Sequence, residues 1–279
     1  MLTLVYLGIT YGLARMLAPA VFRMLDRGRL VQPNYLHEQI PTGAGILFLL
    51  AIVPSLMLSA LMRSVGVHAA VWASGAMQRM EWAVVIVVLG FSCLGLLDDA
   101  VGTKEARGLR GHVKALLDGQ LTTGMVKAIY GGLLSFIVAV VAPLTAPPLL
   151  SALLVSLAAN TINLFDLRPG RALKAFFVGY VIIALFSGGS GGPILCVAAA
   201  AAVLLPWDLQ AKVMLGDTGA NVLGATLGLF VAAQFSVAVQ ILTLIGLVSL
   251  HVYAEKRSLT QLIADVALLR WFDNLGRRR

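Results

Sequence analysis

Residues 94–114 read LGLLDDAVGTKEARGLRGHVK, and this stretch decides the fold. A long apolar run ends abruptly in two adjacent aspartates, Asp98 and Asp99, and a basic, glycine-containing loop follows them. A carboxylate near the centre of a bilayer costs about 2.5–3.5 kcal/mol, and two neighbouring carboxylates also repel each other. The pair therefore predicts a helix that ends at a membrane–water boundary, where a cation or a polar substrate meets it. The alternative, that the aspartates merely end a helix, is weaker because carboxylates are unfavourable at the C-terminal end of a helix dipole.

The composition of the whole chain is typical of a membrane protein. Its 279 residues are 59% hydrophobic and only 12% charged, whereas soluble domains are about 25% charged. The net charge of +8 does not indicate a nucleic-acid partner, because the basic residues lie in short loops between apolar segments and act first as topology signals. Cys93 and Cys196 lie inside apolar runs and indicate neither a disulfide nor a metal site. The first apolar segment has no basic residues before it, so we expect a retained span and not a signal peptide.

Nine apolar segments approach the length of about 20 residues that a helix needs to cross a bilayer. They are residues 1–24, 43–62, 82–98, 124–142, 148–165, 172–188, 192–207, 218–235 and 237–253. Residues 259–275 are too short to span, and their apolar positions recur at helical spacing, which predicts an amphipathic helix on the membrane surface. The predicted fold is therefore an all-α polytopic membrane protein, with about nine transmembrane helices in one integral-membrane domain over residues 1–279.

The distribution of basic residues predicts which side of the membrane each loop occupies. Lysines and arginines follow spans one, three, five, seven and nine, and few lie in the opposite loops. The positive-inside rule then places these loops and the C-terminus in the cytoplasm. Four polar groups fall at this end of the bundle and predict a cytoplasmic active-site cleft. These groups are Asp98 with Asp99; Asn160 with Asn163 and Asp166; Asp217; and His251 with Glu255, Lys256 and Arg257.

Asn160, Asn163 and Asp166 recur at intervals of three residues and so share one face of a helix. Each polar residue also has a plainer interpretation. A single asparagine in a span often hydrogen-bonds a neighbouring helix, and Asp217, at the start of an apolar run, is a good helix N-cap. The two interpretations of Asp217 are compatible, because a helix N-terminus also presents free N–H groups to an anion.

Carboxylate and amide oxygens form a hard ligand set that suits Mg²⁺ or Mn²⁺ and does not suit zinc. Mg²⁺ usually takes one or two protein carboxylates and fills its other positions with water and substrate phosphates. Basic residues near the cleft are then expected to meet the same phosphates, namely Arg110, Lys114, Lys256 and Arg257. The residues alone therefore predict a metal-dependent reaction on a phosphate or diphosphate, with one substrate that arrives through the lipid.

Four motifs, in this order along the chain, resemble the polyprenyl-phosphate N-acetylhexosamine-1-phosphate transferase family. They are Pro41-Thr42-Gly43-Ala44-Gly45, Asp98-Asp99 with Gly108-Leu109-Arg110, Asn160-x-x-Asn163-x-x-Asp166, and Leu215-Gly216-Asp217-Thr218-Gly219. The resemblance covers most of the chain. It implies transfer of a sugar-1-phosphate from a UDP-sugar to undecaprenyl or another polyprenyl phosphate, with release of UMP. It also implies a multi-pass protein of the bacterial inner membrane that starts a cell-envelope glycopolymer.

The resemblance also implies roles for residues at the motif positions. Asp217 and the side-chain oxygen of Asn163 correspond to Mg²⁺ ligands, with Mn²⁺ as an alternative metal. Asp98 and Asp99 correspond to a pair that deprotonates the lipid phosphate or orients it. Lys114 falls where a family lysine contacts the diphosphate. We count Asp166 and His251 as further catalytic candidates, and Asn160 as a substrate-binding candidate. A homodimer is compatible with the sequence.

Two departures from the family pattern bear on the substrate. After Asp166 the family continues with a glycine-rich stretch, whereas this chain reads Leu167-Arg168-Pro169-Gly170-Arg171, so Arg168 or Arg171 is a candidate for the nucleotide contacts. Family members that use a muramoyl-pentapeptide donor carry a histidine cluster in the last cytoplasmic loop, whereas only His251 lies there in this chain. We therefore favour a plain UDP-N-acetylhexosamine.

Three alternatives stay open from the sequence alone. The first is phospho-N-acetylmuramoyl-pentapeptide transfer, and the second is a catalytically lapsed homologue that binds lipid phosphate or UDP-sugar. The third is a transporter, which usually carries charged residues near the middle of the membrane on broken helices. Here the charged residues lie at helix ends on one side, which favours the enzyme.

Overall fold

The computed structural model of the chain describes residues 2–66, 74–102, 108–189 and 192–278. Within these ranges the chain forms twelve helices and one small two-stranded sheet, which confirms the predicted all-α polytopic class. In chain order the elements are α1 (Leu2–Arg27), β1 (Val31–Pro33), β2 (Gln39–Pro41), α2 (Ile46–Ser64), α3 (Gly75–Val101), α4 (Gly108–Leu117), α5 (Thr123–Val141), α6 (Pro148–Phe165), α7 (Arg171–Ser187), α8 (Ile194–Leu209), α9 (Gly216–Gln234), α10 (Val237–Lys256), α11 (Leu259–Asp265) and α12 (Ala267–Asn274).

A helix lies at each of the nine predicted spans. Six of them are long and apolar enough to cross a membrane, and these are α1, α2, α3, α5, α6 and α10. The predicted spans six and seven correspond to α7 and α8, which have only 17 and 16 residues. The eighth corresponds to α9, which is covered mainly by protein. The total of nine spans therefore stays a prediction.

Helix α9 lies inside the bundle and packs against α3, α6 and α7. Fifteen of its 19 residues are buried, whereas Gln240 is the single buried residue among the 20 of α10. Two glycines one turn apart let α9 approach the backbone of α6. A Cβ atom on Gly224 would lie 2.6 Å from the Ala159 Cα, and one on Gly228 would lie 2.7 Å from the Leu154 carbonyl oxygen. Small residues at such spacing are the usual means of close helix packing in membranes.

Two short elements are additions to the predicted fold. Strands β1 and β2 form an antiparallel hairpin in which Val31 pairs with Pro41, the first residue of the first sequence motif. Helix α4 occupies part of the stretch that the sequence predicted as a basic loop. The β-hairpin forms one wall of the cavity described below.

The C-terminal segment forms two short helices instead of one amphipathic helix. Val266 has extended backbone angles, with φ −88° and ψ 113°, and it ends α11 and precedes α12. The outer face of α12 carries apolar side chains such as Leu268 and Trp271, which are 71% and 62% exposed. An exposed apolar face of this kind is typical of a helix that lies on a membrane surface, so the predicted surface location stays a prediction for α12.

An ion pair fixes α12 to the start of α7. The Arg171 guanidinium donates from Nε and Nη2 to the two carboxylate oxygens of Asp273, at 2.7 and 3.0 Å. Lys174 Nζ donates to the Phe272 and Asp273 carbonyl oxygens at 2.8 and 2.6 Å, which satisfies carbonyl groups at the end of α12. Burial opposes ionisation of Asp273, but the hydrogen bonds from Arg171 and Arg277 outweigh it and hold the pKa of Asp273 below its ordinary value.

We predict that Gly228→Ala destabilises the protein by about 1–3 kcal/mol, because the added methyl group overpacks the α6–α9 contact. Gly246→Ala in α10 is the matched control, since a Cβ atom at Gly246 meets nothing within 4 Å. An alanine there should raise helix stability by up to about 1 kcal/mol. Denaturant unfolding in mixed micelles measures both variants. Equal effects of the two substitutions would show that α9 does not depend on this close approach.

Candidate active site

The candidate site forms at one end of the bundle, where α3 and α6 end and α5 and α9 begin. Backbone hydrogen bonds join the first sequence motif to the fourth. Met214 N donates to Pro41 O at 2.8 Å, Ala44 N donates to Met214 O at 3.0 Å, and Gly45 N donates to Leu215 O at 3.0 Å. The segments that precede α2 and α9 therefore lie side by side at the end of α3.

Asp99 caps the N-terminus of α9 from a different helix. The N-cap residue of α9, Leu215, has no side chain able to accept the free N–H groups. The Asp99 carboxylate accepts from Asp217 N at 3.1 Å, from Thr218 N at 3.0 Å and from the Thr218 hydroxyl at 2.6 Å. Gly216 precedes these donors with a left-handed φ of +72°, a conformation that glycine adopts without strain. The structure thus assigns Asp99 a positioning contact that the sequence did not predict.

Asp98 and Asp217 share one cation. Lys127 Nζ, on α5, forms an ion pair with Asp98 Oδ2 at 3.0 Å and a second ion pair with Asp217 Oδ2. Asn163 Nδ2 donates to the same Asp217 oxygen at 3.1 Å. All three charged side chains are only 22–24% exposed. Asp98, Asn163 and Asp217, which the sequence analysis singled out, therefore meet in three dimensions around a lysine.

Lys127 is a site residue that the sequence analysis missed. It lies in the fourth predicted span, residues 124–142, although a signal was available. A lysine inside an apolar run is expensive unless it has a partner or reaches water. Its position near the start of α5, facing two carboxylates, explains why the chain keeps it there.

A cavity of about 520 Å³ opens beside this cluster. Its wall carries four aspartates and a single basic residue within the described part of the chain; these are Asp99, Asp166, Asp208, Asp217 and Arg168. Asp208 was also missed by the sequence analysis; its buried carboxylate accepts a hydrogen bond from Gly170 N at 2.7 Å. Asp166 follows the last residue of α6, and burial, followed by the charges of Asp208 and Asp217, raises its pKa well above the ordinary value. The described wall of the cavity therefore carries more acidic than basic groups, and a cation bound there would favour their ionised form.

Other predicted site residues lie away from this cavity. Of the described residues that line it, none is Asn160, Lys114, His251, Lys256 or Arg257. Asn160 is exposed on α6, Lys114 is exposed on α4, and Lys256 and Arg257 are exposed at the end of α10. His251 Nδ1 is 2.8 Å from Leu247 O within its own helix. Helix α10 packs on α6, and the polar residues at its end are not among the described residues that line the cavity.

Two arginines that the sequence offered for nucleotide contacts have different surroundings. Arg168 lines the cavity, whereas Arg171 is 6% exposed and committed to Asp273. Arg110 belongs to α4, and its side chain lies outside the described residues.

The carboxyl and amide oxygens of the cluster are of the type that a magnesium ion binds. No group of three or more His, Cys, Asp or Glu side chains in the described ranges is close enough to hold a metal without further ligands. Mg²⁺ does not require such a group, because it binds through one or two carboxylates and keeps water or phosphate oxygens as its other ligands. Asp217 and Asn163 carry oxygen donors of this kind, and in this structure Asn163 directs its Nδ2 towards Asp217.

Comparison with known proteins identifies one family and several relatives. The family model described as glycosyl transferase family 4 matches residues 81–235, a range that contains the Asp98, Lys127, Asn163 and Asp217 cluster.

Curated phospho-N-acetylmuramoyl-pentapeptide-transferases are similar at low identity. The protein of Granulibacter bethesdensis is 28% identical over 233 residues, which cover 71% of this chain and 60% of the relative. That of Moorella thermoacetica is 28% identical over 229 residues, with coverages of 75% and 67%. That of Chlorobium phaeovibrioides is 23% identical over 295 residues, with coverages of 84% and 76%. The first of these matches spans less than two thirds of the relative's length.

We predict that Lys127 and Asp98 are energetically coupled. Lys127→Met leaves two carboxylates facing each other, so Asp98→Asn should cost less in that background than in the wild type. A double-mutant cycle by denaturant unfolding in mixed micelles should give a coupling of about 0.5–3 kcal/mol. The matched cycle uses Lys212→Met, an exposed lysine over the Trp207 ring, and should be additive within about 0.5 kcal/mol. Additivity in both cycles would contradict the shared-cation arrangement.

Proposed function

Because the chain belongs to glycosyl transferase family 4, as the resemblance of its motifs predicted, we propose that it transfers a sugar-1-phosphate from a UDP-sugar to polyprenyl phosphate. UMP is the leaving product, and the lipid-linked sugar diphosphate remains in the membrane. We place the reaction at the cytoplasmic face of the bacterial inner membrane, as an early step in the synthesis of a cell-envelope glycopolymer. The names of the relatives support a role in cell-wall synthesis.

The observation that carries the proposal is the acidic cluster at the end of a membrane helix bundle. Asp98, Asn163 and Asp217 meet around Lys127, and four aspartates line the adjoining cavity. Phosphoryl transfer depends mainly on positioning and on neutralisation of charge, which a metal ion and fixed cations supply. A cluster at a helix end also lets a lipid phosphate enter from the bilayer while a nucleotide enters from water.

In the proposed reaction an oxygen of the lipid phosphate forms a bond to the β-phosphorus of the UDP-sugar. The bond from that phosphorus to the oxygen bridging to the α-phosphorus breaks, and UMP departs with that oxygen. A phosphate monoester is largely ionised at pH 7, since its second pKa is about 6. The nucleophile therefore needs no obligatory base, and we assign Asp98 to orienting the lipid phosphate together with Lys127.

We propose Mg²⁺ as the cofactor, with Mn²⁺ as a substitute, held by Asp217 and the side-chain oxygen of Asn163. When bound, the metal would neutralise charge on the diphosphate. Asp99 contributes by fixing the start of α9, through its contacts with Asp217 N and Thr218, so that the Asp217 side chain keeps its position.

Two classes of sugar donor deserve a direct comparison. The single histidine near the end of α10, His251, favours a plain UDP-N-acetylhexosamine. The names of the relatives favour the second candidate, a UDP-N-acetylmuramoyl-pentapeptide. Sequence identities of 23–28% support membership of the family more strongly than they support the use of the same sugar donor.

We predict that the purified protein in detergent, with undecaprenyl phosphate and Mg²⁺, releases UMP from UDP-N-acetylglucosamine or UDP-N-acetylgalactosamine. Asp217→Asn should lower the rate by about tenfold to hundredfold or more, because a proposed metal ligand is lost. Cys93→Ala, at an exposed cysteine of α3, is the control and should keep the wild-type rate.

The same assay decides between the alternatives. Release only from UDP-N-acetylmuramoyl-pentapeptide would replace the first donor class with the second. No UMP from any donor would overturn the transferase proposal.

A further inference from the structure

Arg168 is the single basic residue on the described wall of the acidic cavity. It follows Asp166 by two positions, in the turn between α6 and α7, so it shares the cavity with Asp166 and Asp217. A substrate diphosphate that enters this cavity meets four aspartates. A diphosphate is itself negatively charged, so a protein cation that faces the cavity stabilises its binding in addition to any metal ion.

The Arg168 side chain is held in place by an aromatic ring. Its guanidinium carbon lies 5.5 Å from the centre of the Tyr35 ring, which also lines the cavity. The Tyr35 hydroxyl donates to Arg278 O at 2.7 Å, and Arg278 N donates to Leu209 O at 3.0 Å. The β-hairpin that carries Tyr35 is thereby tied to the end of α8 through the C-terminal segment.

Holding an arginine by a ring face leaves its hydrogen-bonding groups available. A cation–π contact is electrostatic, and a guanidinium carries five N–H donors. Among the described residues, the Arg168 guanidinium makes this ring contact and no hydrogen bond or ion pair with a side chain. The arginine is therefore positioned in advance and still has donors for a ligand.

Three other cations at this end of the bundle are already engaged. Arg171 is paired with Asp273, Lys174 donates to carbonyl groups of α12, and Lys127 is shared by Asp98 and Asp217. The partner of Arg168 is the Tyr35 ring, which offers no acceptor oxygen to the guanidinium. Arg168 differs from the other three cations in this respect.

Building on the proposed function, we propose that Arg168 binds the diphosphate of the UDP-sugar and that Tyr35 positions it. The planar fork of a guanidinium matches pairs of phosphate oxygens and binds them in a bidentate manner. A monophosphate offers fewer such oxygens, so Arg168 holds the diphosphate donor more firmly than the UMP product. This difference helps UMP to leave after the transfer.

The test measures the Kd of UDP, UMP and uridine for the full-length protein in detergent with Mg²⁺, by isothermal titration calorimetry. Arg168→Ala should weaken UDP binding by about tenfold to hundredfold, the range of lost hydrogen bonds to charged groups. The loss should be smaller for UMP and absent for uridine. Arg168→Lys should fall between the wild type and Arg168→Ala, because lysine keeps the charge and loses the fork.

The positioning role of Tyr35 has its own pair of variants. Tyr35→Phe keeps the ring and should bind UDP nearly as the wild type does, whereas Tyr35→Leu removes the ring and should weaken UDP binding. Arg79→Ala, at an exposed arginine at the start of α3, is the control for removal of an arginine.

The thermal midpoint of each variant shows whether it is folded, and Arg168→Gln replaces Arg168→Ala if that variant unfolds.

The outcomes separate the inference from the proposed function. A wild-type enzyme that releases UMP, with Arg168 variants that bind UDP as tightly as it does, overturns the role of Arg168 alone. Equal losses for UDP and uridine would also overturn it, because they would place Arg168 at the nucleoside. A wild-type protein that neither binds UDP nor releases UMP from any donor overturns both.

Discussion

The contact between Asp99 and the first turn of α9 is the interaction on which the rest of the site depends. Helix α9 begins inside the protein, with backbone N–H groups that its own N-cap residue does not satisfy. An unpaired buried N–H group costs about as much as a lost hydrogen bond. The Asp99 carboxylate of α3 accepts two of these N–H groups and so fixes the position of the first turn of α9. The residue before Asp99 on α3 and the second residue of α9 are then Asp98 and Asp217, which share Lys127.

Close packing along α9 extends this constraint to α6. Gly224 and Gly228 bring α9 against the backbone of α6, and α6 ends in Asn163 and Asp166. Three helices thus hold their polar ends in fixed relation, while the β-hairpin and the C-terminal segment form the outer wall of the cavity. The result is a cavity whose described wall carries four aspartates and one arginine.

The sequence predicted the membrane bundle and the helix ends that carry Asp98, Asp99, Asn163 and Asp217, because hydropathy and motif spacing report both. The sequence could not assign different roles to the two neighbouring aspartates. In the structure Asp98 pairs with Lys127, whereas Asp99 caps α9. Lys127 stayed hidden in an apolar run, and Arg171 pairs with Asp273, 102 residues away. The positive-inside rule assigned a side of the membrane to His251, Lys256 and Arg257. It does not report how far apart two helices lie in the plane of the membrane.

The central claim is that the acidic cluster binds a divalent cation together with substrate phosphates. The most direct measurement is Mn²⁺ binding in the presence of UDP, followed by electron paramagnetic resonance, for the wild type and for Asp217→Asn. The account predicts that Asp217→Asn weakens Mn²⁺ binding by at least about tenfold, whereas Asp265→Asn, at an exposed aspartate of α11, leaves it unchanged. Equal Mn²⁺ affinity in all three proteins would contradict the account.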